Sequence, residues 1–473
     1  MRKGRFGKKN FSTTRLVEEL EGVVSSSNVD VSEIGREQHA HDESWHTWKK
    51  PAIVVHPSST EEVAECVRLC SSNNVKMVPF GTGTGLEGGT NLGLDAVCFN
   101  LATNMNEIVN VNAEDFDCTI RPGVTRQGLN DELRHTGLWF PIDPGADASV
   151  CGMAATSASG TNAVRYGTMR ENVLNLEVVL PSGEILHTSG QGGRARKTSA
   201  GLNLTNLFVG SEGTLGMITS ATVRLHPVPG VVAAAICSFE DAGDAIRTST
   251  ETIQCGVQVG RVEFMDDVQV KASNAYSKLD LEERSTILFE FGGMSEESLQ
   301  EQALFVEEIA KNNGGSNFRW ATAQEDRANL WKARHAVYYA NLAMRPGSRG
   351  LATDVCVPIS ELASTIVETK NRVEELGLLA PIVGHVGDGN FHCLIVLDPS
   401  DEEEVRTAKE FARWLGVRAI EAGGTCTGEH GVGRGKRDLL KREVGDLGIR
   451  VMKDLKSTLD PLNLMNPGVF FES

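Results

Sequence analysis

The sequence lacks the features that mark membrane-spanning, nucleic-acid-binding and disulfide-rich proteins. No apolar run approaches the length of a membrane span, and the run from Val231 to Cys237 has the length of a strand. A formal net charge of −17 argues against nucleic acid or an anionic membrane as the main partner. The ten cysteines include no C-x-x-C pair, which argues against a disulfide framework or a zinc ribbon and fits a reducing compartment. We therefore expect a soluble protein whose 473 residues form two or three domains.

Acidic residues are absent from the first fifteen positions, which are rich in basic residues. The basic residues are Arg2, Lys3, Arg5, Lys8, Lys9 and Arg15. Such a segment is typical of a mitochondrial transit peptide, although its poor amphipathicity leaves a disordered basic tail as the alternative. We assign residues 1–47 to an N-terminal arm, with a helix from Arg15 to Val24, and expect a mitochondrial location.

A glycine-rich loop follows a buried strand and predicts a nucleotide site. Five glycines lie between Pro79 and Thr90, directly after Val75 to Val78. Glycine tolerates positive φ and a close ligand, so backbone N–H groups in this loop can surround a pyrophosphate. The run from Gly83 to Gly88 matches G-x-G-x-x-G, but helix breakers follow it where a nicotinamide-binding unit needs a helix. The loop therefore favours a flavin over a nicotinamide cofactor. Its candidate contacts are Pro79, Gly81, Thr82, Gly83, Thr84, Gly85, Gly88 and Gly89.

Two later segments are candidates for the same cofactor. The segment from Asp143 to Gly160 has few large side chains, so its backbone can pack against a planar ring while its hydroxyls form hydrogen bonds. Tight backbone packing alone is the alternative. The segment from Phe208 to Ile218 is again rich in glycine. The candidate contacts of the two segments are Pro144, Gly145, Ser149, Gly152, Ala155, Thr156, Ser159, Gly160, Glu212, Gly213, Gly216 and Ile218.

Local patterns predict the order of elements around these loops. A strand at residues 53–56 and a helix capped by Ser59 precede the strand that ends at Phe80, which together form a β-α-β unit. Pro227 to Gly230 predicts a linker. Beyond it, strands alternate with long helices as in an α+β layer, and helices from Arg437 to Asn466 end the chain.

The run from Gly384 to His392 predicts a β-hairpin with two histidines. Asp388 and Gly389 form the dipeptide that most strongly signals a two-residue type I′ turn. A turn centred there pairs His385 directly with His392, with Cβ atoms about 4.5–5.5 Å apart, so the two imidazoles can share one metal. Histidines that cap a loop by hydrogen bonds are an equally supported alternative. A metal-dependent hydrolase would leave the glycine loops unexplained.

Two further segments offer polar groups to such a site. Glu429 and His430 lie between two glycines, which predicts a third metal ligand in Glu429 and a general base in His430. Two histidines and a carboxylate suit zinc or manganese, and the sequence does not choose between them. Trp331, Arg334 and Tyr338 share a face at helical spacing, which suits a guanidinium that binds a carboxylate. An Arg stacked on Trp at the surface is the alternative.

In their order along the chain, these motifs resemble the FAD-linked 2-hydroxyacid dehydrogenases of the vanillyl-alcohol-oxidase/p-cresol-methylhydroxylase superfamily. The similarity covers nearly all of the chain after the N-terminal arm, includes Asn466-Pro-Gly, and is closest to the mitochondrial D-lactate dehydrogenase (cytochrome) branch. It implies an α+β fold with a two-subdomain FAD-binding module of the p-cresol-methylhydroxylase type at residues 48–227. An α+β cap domain for substrate and metal follows at 228–436, and C-terminal helices at 437–473 return to the FAD domain with Asn466 as a cofactor contact.

The resemblance also implies residue roles. In relatives, the matches of His385, His392 and Glu429 bind a divalent metal, the match of His430 contacts substrate or acts as base, and that of Arg334 binds the carboxylate. Tyr338 is a further catalytic candidate beside Arg334. Relatives that act on D-2-hydroxyglutarate carry a lysine where Ala352 stands, so a monocarboxylate substrate is favoured. No histidine lies in the glycine loop to tether FAD, so we expect non-covalent binding.

The reaction implied is oxidation of D-lactate, or a related D-2-hydroxy monocarboxylate, to the 2-keto acid. In this hypothesis Arg334 and the metal hold the substrate, His430 takes the hydroxyl proton, and the C2 hydride passes to flavin N5. The electrons then pass to a respiratory acceptor such as cytochrome c. A dehydrogenase for D-2-hydroxyglutarate or glycolate and a flavin-binding protein without turnover are the alternatives.

Overall fold

A computed structural model describes residues 13–91, 96–335 and 337–472. The basic residues from Arg2 to Lys9 lie outside these ranges, so the transit peptide stays a prediction. The helix expected from Arg15 to Val24 is present at Thr13–Val24. In the described ranges, no helix combines the length and the apolar character needed to cross a bilayer.

The first part of the chain forms a four-stranded sheet with the strand order β1-β2-β4-β3. Its elements are α1 (Thr13–Val24), β1 (Val29–Asp30), α2 (Glu33–Gln38), β2 (Ile53–Val55), α3 (Thr60–Ser72), β3 (Lys76–Phe80) and β4 (Ala96–Asn100). Ser59 caps α3 as predicted, because its side chain accepts a hydrogen bond from the backbone N–H of Glu62. The predicted β-α-β unit is present, because β2 and β3 are parallel strands connected by α3, and β4 lies between them in the sheet. All five residues of β4 are buried, as expected of a central strand.

A second sheet has five strands in the order β5-β6-β10-β8-β9. Its segment of the chain contains β5 (Ile108–Asn112), β6 (Asp117–Ile120), α4 (Arg126–Leu133), β7 (Leu138–Trp139), α5 (Val150–Thr156), α6 (Ala163–Tyr166), α7 (Met169–Asn172), β8 (Val173–Val179), β9 (Ile185–His187), α8 (Leu204–Phe208), β10 (Met217–Arg224) and β11 (His226–Pro227). The short strands β7 and β11 pair with each other. The glycine-rich loop after β3 and the segment before β10 lie next to each other, as their contacts below show.

A third, antiparallel sheet follows Gly230, in the order β15-β12-β14-β13-β18-β19-β16 with β17 against β19. Its elements are β12 (Val231–Phe239), α9 (Ala242–Gln254), β13 (Val259–Met265), α10 (Asp267–Ser277), β14 (Ser285–Gly293), α11 (Glu296–Asn312), β15 (Ser316–Ala321), α12 (Gln324–His335), α13 (Val337–Ala343), β16 (Arg349–Ala352), β17 (Val355–Cys356), α14 (Ile359–Glu375), β18 (Ile382–His385), β19 (Asn390–Leu397) and α15 (Glu402–Glu421). Phe264, Phe289 and Phe391 are fully buried in its core. The alternation of strands and long helices predicted for this part is confirmed.

The end of the chain packs against the first two sheets. Helix α16 (Arg437–Leu459) is two helical stretches joined at Gly445, whose φ is +72°. Beyond it, Met465 bridges to Met77 of β3, and the backbone N–H of Asn466 donates to the Met77 carbonyl at 2.8 Å. The buried amine of Lys456 donates to the Thr214 carbonyl at 2.7 Å, just before β10. The C-terminal segment therefore lies between the glycine-rich loop that follows β3 and the glycine-rich segment that precedes β10.

Candidate active site

The three predicted cofactor segments meet in the structure. The backbone N–H of Ser149 donates to Thr82 Oγ1 at 3.3 Å, and the N–H of Glu212 donates to the Ala155 carbonyl at 2.8 Å. Asn466 joins them, since its Nδ2 donates to the Glu212 carbonyl at 2.8 Å. Asn466 Nδ2 also donates to the Gly89 carbonyl at 2.9 Å, so hydrogen bonds join residues that are 377 positions apart in the chain. This convergence is what a single dinucleotide site requires.

The backbone around these contacts has the form of a ligand cradle. Gly83 and Gly88 have φ values of +71° and +73°, which side-chain-bearing residues rarely adopt. A Cβ at Gly81 or Gly152 would lie 2.8 or 2.7 Å from Ser149 Oγ. That hydroxyl is buried and has no hydrogen-bond partner within the described residues. Because a buried polar atom without a partner is costly, an orphaned hydroxyl among glycines fits a bound polar ligand such as FAD.

Two cofactor candidates have further duties. Ile218 lies in β10, and its buried side chain packs into the core of the second sheet. The carboxylate of Glu212 accepts hydrogen bonds from the backbone N–H groups of Val432 and Gly433 at 2.7 and 2.8 Å. Burial raises the pKa of Glu212 to about 7, despite these two bonds. Glu212 therefore ties the third glycine segment to the loop that carries His430.

The predicted register of the histidine hairpin is wrong, although its consequence survives. His385 is the Cα partner of Asn390, and His392 is the partner of Val383, so residues 386–389 form a four-residue loop. A type I′ turn needs positive φ at both central positions, and Gly389 has φ +92° whereas Asp388 does not have a positive φ. The two histidines are instead diagonal neighbours on one face, with ring centroids 5.4 Å apart.

The two imidazoles converge on the carboxylate of Glu429. His385 Nε2 and His392 Nε2 both lie 3.2 Å from Glu429 Oε1. The ligand atoms of the three residues lie within 4.8 Å of one another, and Glu429 Oε2 is buried with no hydrogen-bond partner in the part of the chain that the structure describes. Burial alone would raise the pKa of Glu429, but the two histidines hold it well below its usual range. An ionised carboxylate and two imidazoles at this spacing fit a divalent metal ion.

Each histidine is oriented by an acceptor behind it. His385 Nδ1 lies 2.7 Å from Glu263 Oε1, and His392 Nδ1 lies 3.1 Å from the Thr353 carbonyl. A proton on each Nδ1 satisfies these acceptors and leaves both Nε2 atoms to face Glu429. Burial favours the neutral imidazole of His385, but Glu263 and Glu429 raise the pKa of His385 well above its ordinary value.

His430 lies next to the cluster as a second, parallel ring. Its ring stacks on that of His392, with centroids 4.9 Å apart and planes 14° from parallel. Its Nε2 is 3.8 Å from Glu429 Oε1, and its Nδ1 is buried without a hydrogen-bond partner among the described residues. Burial lowers the pKa of His430, which favours the neutral, proton-accepting form. The predicted base is therefore placed beside the predicted metal ligands.

Arg334 is close to the cluster but is bound differently from the prediction. Its Nε donates to Glu263 Oε2 at 2.7 Å, so Glu263 bridges Arg334 and His385. Burial alone would raise the pKa of Glu263, but His385 and Arg334 lower it. The Nη groups of Arg334 have no partner within the described residues, which leaves them available for an anion.

The predicted common face of Trp331, Arg334 and Tyr338 does not produce a common contact. Trp331 is buried and lies under the guanidinium of Arg261, whose central carbon is 5.2 Å from the ring centroid. Tyr338 lines a cavity of about 410 Å³ together with Glu43 from the N-terminal arm. A catalytic role for Tyr338 stays a prediction.

A second cavity, of about 330 Å³, joins the cofactor segments to the cluster. Its lining includes Thr156 and Glu212 from the cofactor segments and Glu429 from the cluster with His385 and His392. The cavity therefore borders the second and third cofactor segments on one side and one predicted metal ligand on the other.

Sequence reasoning missed the buried carboxylates that organise this site. Glu263 lies in β13 between Val262 and Phe264, and all three are buried. Asp354 is also fully buried, and it accepts hydrogen bonds from the loop of Glu429. A carboxylate within an apolar strand was the available signal for Glu263, because acidic residues are rarely buried without a partner. Asp354 lies between β16 and β17, and the sequence around it carried no comparable sign of a buried carboxylate.

Comparisons with known proteins agree with this geometry. A family model described as FAD binding domain matches residues 51–189, and one described as FAD linked oxidases, C-terminal domain, matches residues 228–470. A protein of Danio rerio named probable D-lactate dehydrogenase, mitochondrial, is 55% identical over 99% of this chain and 94% of its own length. An Arabidopsis thaliana protein named D-lactate dehydrogenase [cytochrome], mitochondrial, is 43% identical over 88% of this chain and 73% of its own length.

The fold itself has a solved counterpart. The crystal structure of p-cresol methylhydroxylase with substrate bound aligns with a TM-score of 0.80 over 98% of both chains, at 16% sequence identity. The α+β architecture predicted from the ordered motifs, with a cofactor-binding part, a cap and a helical C-terminal segment, is confirmed.

Proposed function

The chain belongs to the family of FAD-linked oxidases, and we propose that it oxidises D-lactate, or a related D-2-hydroxy monocarboxylate, to the 2-keto acid. The observation that carries this proposal is the meeting of His385, His392, Glu429 and His430 beside the bridge between Glu263 and Arg334. A base, a metal-ligand set and a cation for the carboxylate are the groups that removal of a hydroxyl proton from a 2-hydroxyacid needs.

The residues also fit the two groups that the reaction needs. The glycine-rich segments and Asn466 would hold FAD without a covalent bond, and FAD supplies the hydride acceptor when it is bound. His385, His392 and Glu429 would hold a divalent ion, zinc or manganese, which lowers the pKa of a substrate hydroxyl when it is present. The convergence of the two Nε2 atoms on one carboxylate oxygen supports this assignment.

His430 would accept the hydroxyl proton. Its pKa is lowered by burial, so the imidazole is neutral near pH 7 and has a lone pair to offer. Its Nε2 faces the cluster at 3.8 Å from Glu429 Oε1, so a hydroxyl held between the two would donate to that nitrogen. The stacked ring of His392 keeps the imidazole plane fixed during the transfer.

Arg334 would bind the substrate carboxylate. Because Glu263 holds its Nε, the guanidinium is fixed and its Nη groups can form a bidentate pair with an anion. Ala352 lies at the end of β16 and offers no charge for a second carboxylate, which supports a monocarboxylate substrate. D-2-Hydroxyglutarate and glycolate are therefore the substrates against which D-lactate should be compared.

We assign the FAD-binding part to residues 48–227, the cap to 228–436 and the returning C-terminal helices to 437–473. The family matches at 51–189 and 228–470 support the first division. The relatives' printed names support a mitochondrial location and a cytochrome as electron acceptor.

Anaerobic reduction of the purified protein tests the proposal. The protein should be yellow as isolated, and D-lactate without oxygen should bleach the visible flavin band while L-lactate leaves it unchanged. Titration with glycolate and D-2-hydroxyglutarate ranks the alternatives, and a stronger response to either would replace D-lactate as the substrate. A flavin band that no 2-hydroxyacid bleaches would overturn the enzymatic assignment, and a colourless protein that requires NAD would overturn the cofactor.

A further inference from the structure

We propose that Asp354 is a positioning residue that fixes Glu429 and His430 in the orientation needed for the proposed oxidation. Glu429 and His430 are consecutive in the chain, yet one is a predicted metal ligand and the other the predicted base. Their side chains must therefore be aimed into one site from adjacent backbone positions. The inference rests on the proposed function for its catalytic part and on the geometry alone for its metal-binding part.

One oxygen of Asp354 holds the backbone of both residues. Asp354 Oδ2 accepts from the backbone N–H of Glu429 at 2.9 Å and from that of His430 at 2.8 Å. The hydroxyl of Thr427, two residues earlier, lies 2.8 Å from the same oxygen. Because two consecutive N–H groups point at one atom, the directions of the two following Cα–Cβ bonds are fixed together.

The other oxygen of Asp354 ties this loop to the histidine hairpin. Asp354 Oδ1 accepts from Asn390 Nδ2 at 2.8 Å, and Asn390 is the strand partner of His385. The backbone of Gly428 lies directly over this pair, since a Cβ there would collide with Asn390 Nδ2 and lie 3.1 Å from Asp354 Oδ1. The Asp354 carboxylate therefore connects the loop that carries Glu429 to the hairpin that carries His385 and His392.

The negative charge of Asp354 is balanced without a metal. Lys436 Nζ lies 3.8 Å from Asp354 Oδ2 and 2.9 Å from Glu87 Oε1, in the first glycine-rich loop. His430, Lys436 and His392 lower the pKa of Asp354 below its usual range, although burial opposes them. Asp354 lies within 4.8 Å of His392 and His430 in a second potential ligand set, but its two oxygens already accept three N–H hydrogen bonds and lie next to the Thr427 hydroxyl. Its contacts are those of an anchor and not of a ligand.

The substitution Asp354→Asn in the FAD-loaded enzyme tests the inference. It keeps the shape but removes the charge that holds the two N–H groups, so Glu429 and His430 lose their fixed directions. We expect kcat for D-lactate to fall about 100-fold, with KM within about threefold because Arg334 is untouched. The affinity for added Zn²⁺ or Mn²⁺ alone, measured by chelator competition, should fall about 10- to 100-fold.

A matched control is Glu443→Gln, because Glu443 anchors the same loop further from the chemistry. Its Oε2 accepts from the backbone N–H of Cys426 at 2.9 Å and from Thr425 Oγ1 at 3.0 Å. A role in loop stability alone would give both variants the same effect, whereas the proposal predicts wild-type kcat and metal affinity for Glu443→Gln. Equal losses in the two variants, or wild-type values in Asp354→Asn, overturn the proposal.

A milder variant keeps the test decisive if Asp354→Asn does not fold. Thr427→Val keeps the shape but removes the hydroxyl that lies 2.8 Å from Asp354 Oδ2 and 2.9 Å from the Gly431 carbonyl. It should lower kcat several-fold with unchanged KM and FAD content, and unchanged kcat would overturn the proposal. If the wild-type enzyme does not oxidise D-lactate, the proposed function fails, and the metal affinities of the variants still decide the role of Asp354.

Discussion

The substitution Glu263→Gln should lower both the stability of the fold and the affinity of the proposed metal site, because the buried carboxylate of Glu263 accepts from both Arg334 and His385. Glu263 has no exposed surface, and its two oxygens lie 2.7 Å from Arg334 Nε and 2.7 Å from His385 Nδ1. Glutamine keeps the shape but offers one acceptor oxygen in place of two. Either Arg334 or His385 therefore faces an amide N–H₂ group that cannot accept its hydrogen bond.

The magnitude follows from the burial of these groups. A hydrogen bond to a charged group contributes about 1.5–3 kcal/mol, and removal of one member of a buried ion pair costs about 3–5 kcal/mol. Since Gln retains one of the two bonds, we expect the free energy of unfolding to fall by about 2–3 kcal/mol. Loss of the acceptor that orients a ligand histidine should lower metal affinity by about 10- to 100-fold.

Two measurements on the same preparation test this expectation. Urea denaturation gives the change in the free energy of unfolding, and chelator competition gives the metal affinity. Glu290→Gln is the matched control, since Glu290 lies on the neighbouring strand β14, 3.6 Å from Arg261 Nε, and contacts no predicted ligand. That control should lose less stability and keep the metal affinity. Wild-type metal affinity in Glu263→Gln would refute the view that Glu263 orients His385.

Three further substitutions extend these expectations. Arg334→Lys should raise KM for D-lactate about 10- to 100-fold with the flavin retained, because a point charge replaces a planar guanidinium that can bind a carboxylate through two N–H groups. The control Arg345→Lys, at a partly buried pair with Glu404, should leave KM unchanged, and equal KM values in the two variants would contradict the role of Arg334. Burial raises the pKa of Asp266 to about 7, so the folded state binds more protons than the unfolded state between about pH 4 and 7, and stability falls as pH rises through that window. Asp266→Asn, which can still cap α10, should reduce the fall in stability between pH 5 and pH 8, to which Glu212 also contributes. An unchanged pH dependence in denaturation curves would contradict this expectation. The Gly213→Ala variant should lose FAD on purification, because Gly213 has φ +69° and a Cβ there would collide with Pro79. Full FAD content in this variant would contradict the proposed cofactor cradle.

The sequence predicted the parts of the site that depend on local chemistry. Glycines with positive φ mark the cofactor loops, and two histidines on neighbouring strands mark the predicted metal ligands, because the residues of each signal lie close together in the chain. The hairpin register was wrong because it depends on the φ of a single residue, Asp388, which the dipeptide pattern does not determine. Helix α5 was missed because the segment from Ser149 to Thr156 is rich in small residues. Such a sequence is compatible both with an extended backbone packed against a ring and with a short helix.

Contacts between distant parts of the chain lay beyond sequence reasoning. Glu263 and His385 are 122 positions apart, and nothing in their local patterns indicates that one faces the other. The same holds for Glu212, whose carboxylate reaches backbone N–H groups 220 and 221 positions later. Burial of a carboxylate predicts that a partner exists, but only the fold identifies the partner.

The loop from Thr427 to Lys436 is held from both sides by buried carboxylates, and this arrangement determines how the two halves of the site meet. Asp354 fixes the loop to the cap hairpin, whereas Glu212 fixes it to the third glycine segment and Lys436 reaches Glu87 in the first. Apolar packing tolerates sliding by a few tenths of an ångström, but a hydrogen bond to a charged group loses strength steeply with angle and distance. The separation between the cofactor segments and the proposed metal ligands is therefore set by hydrogen bonds to carboxylates from one short loop. A substitution at Glu212 should accordingly disturb the proposed catalytic step without removing a contact to the substrate.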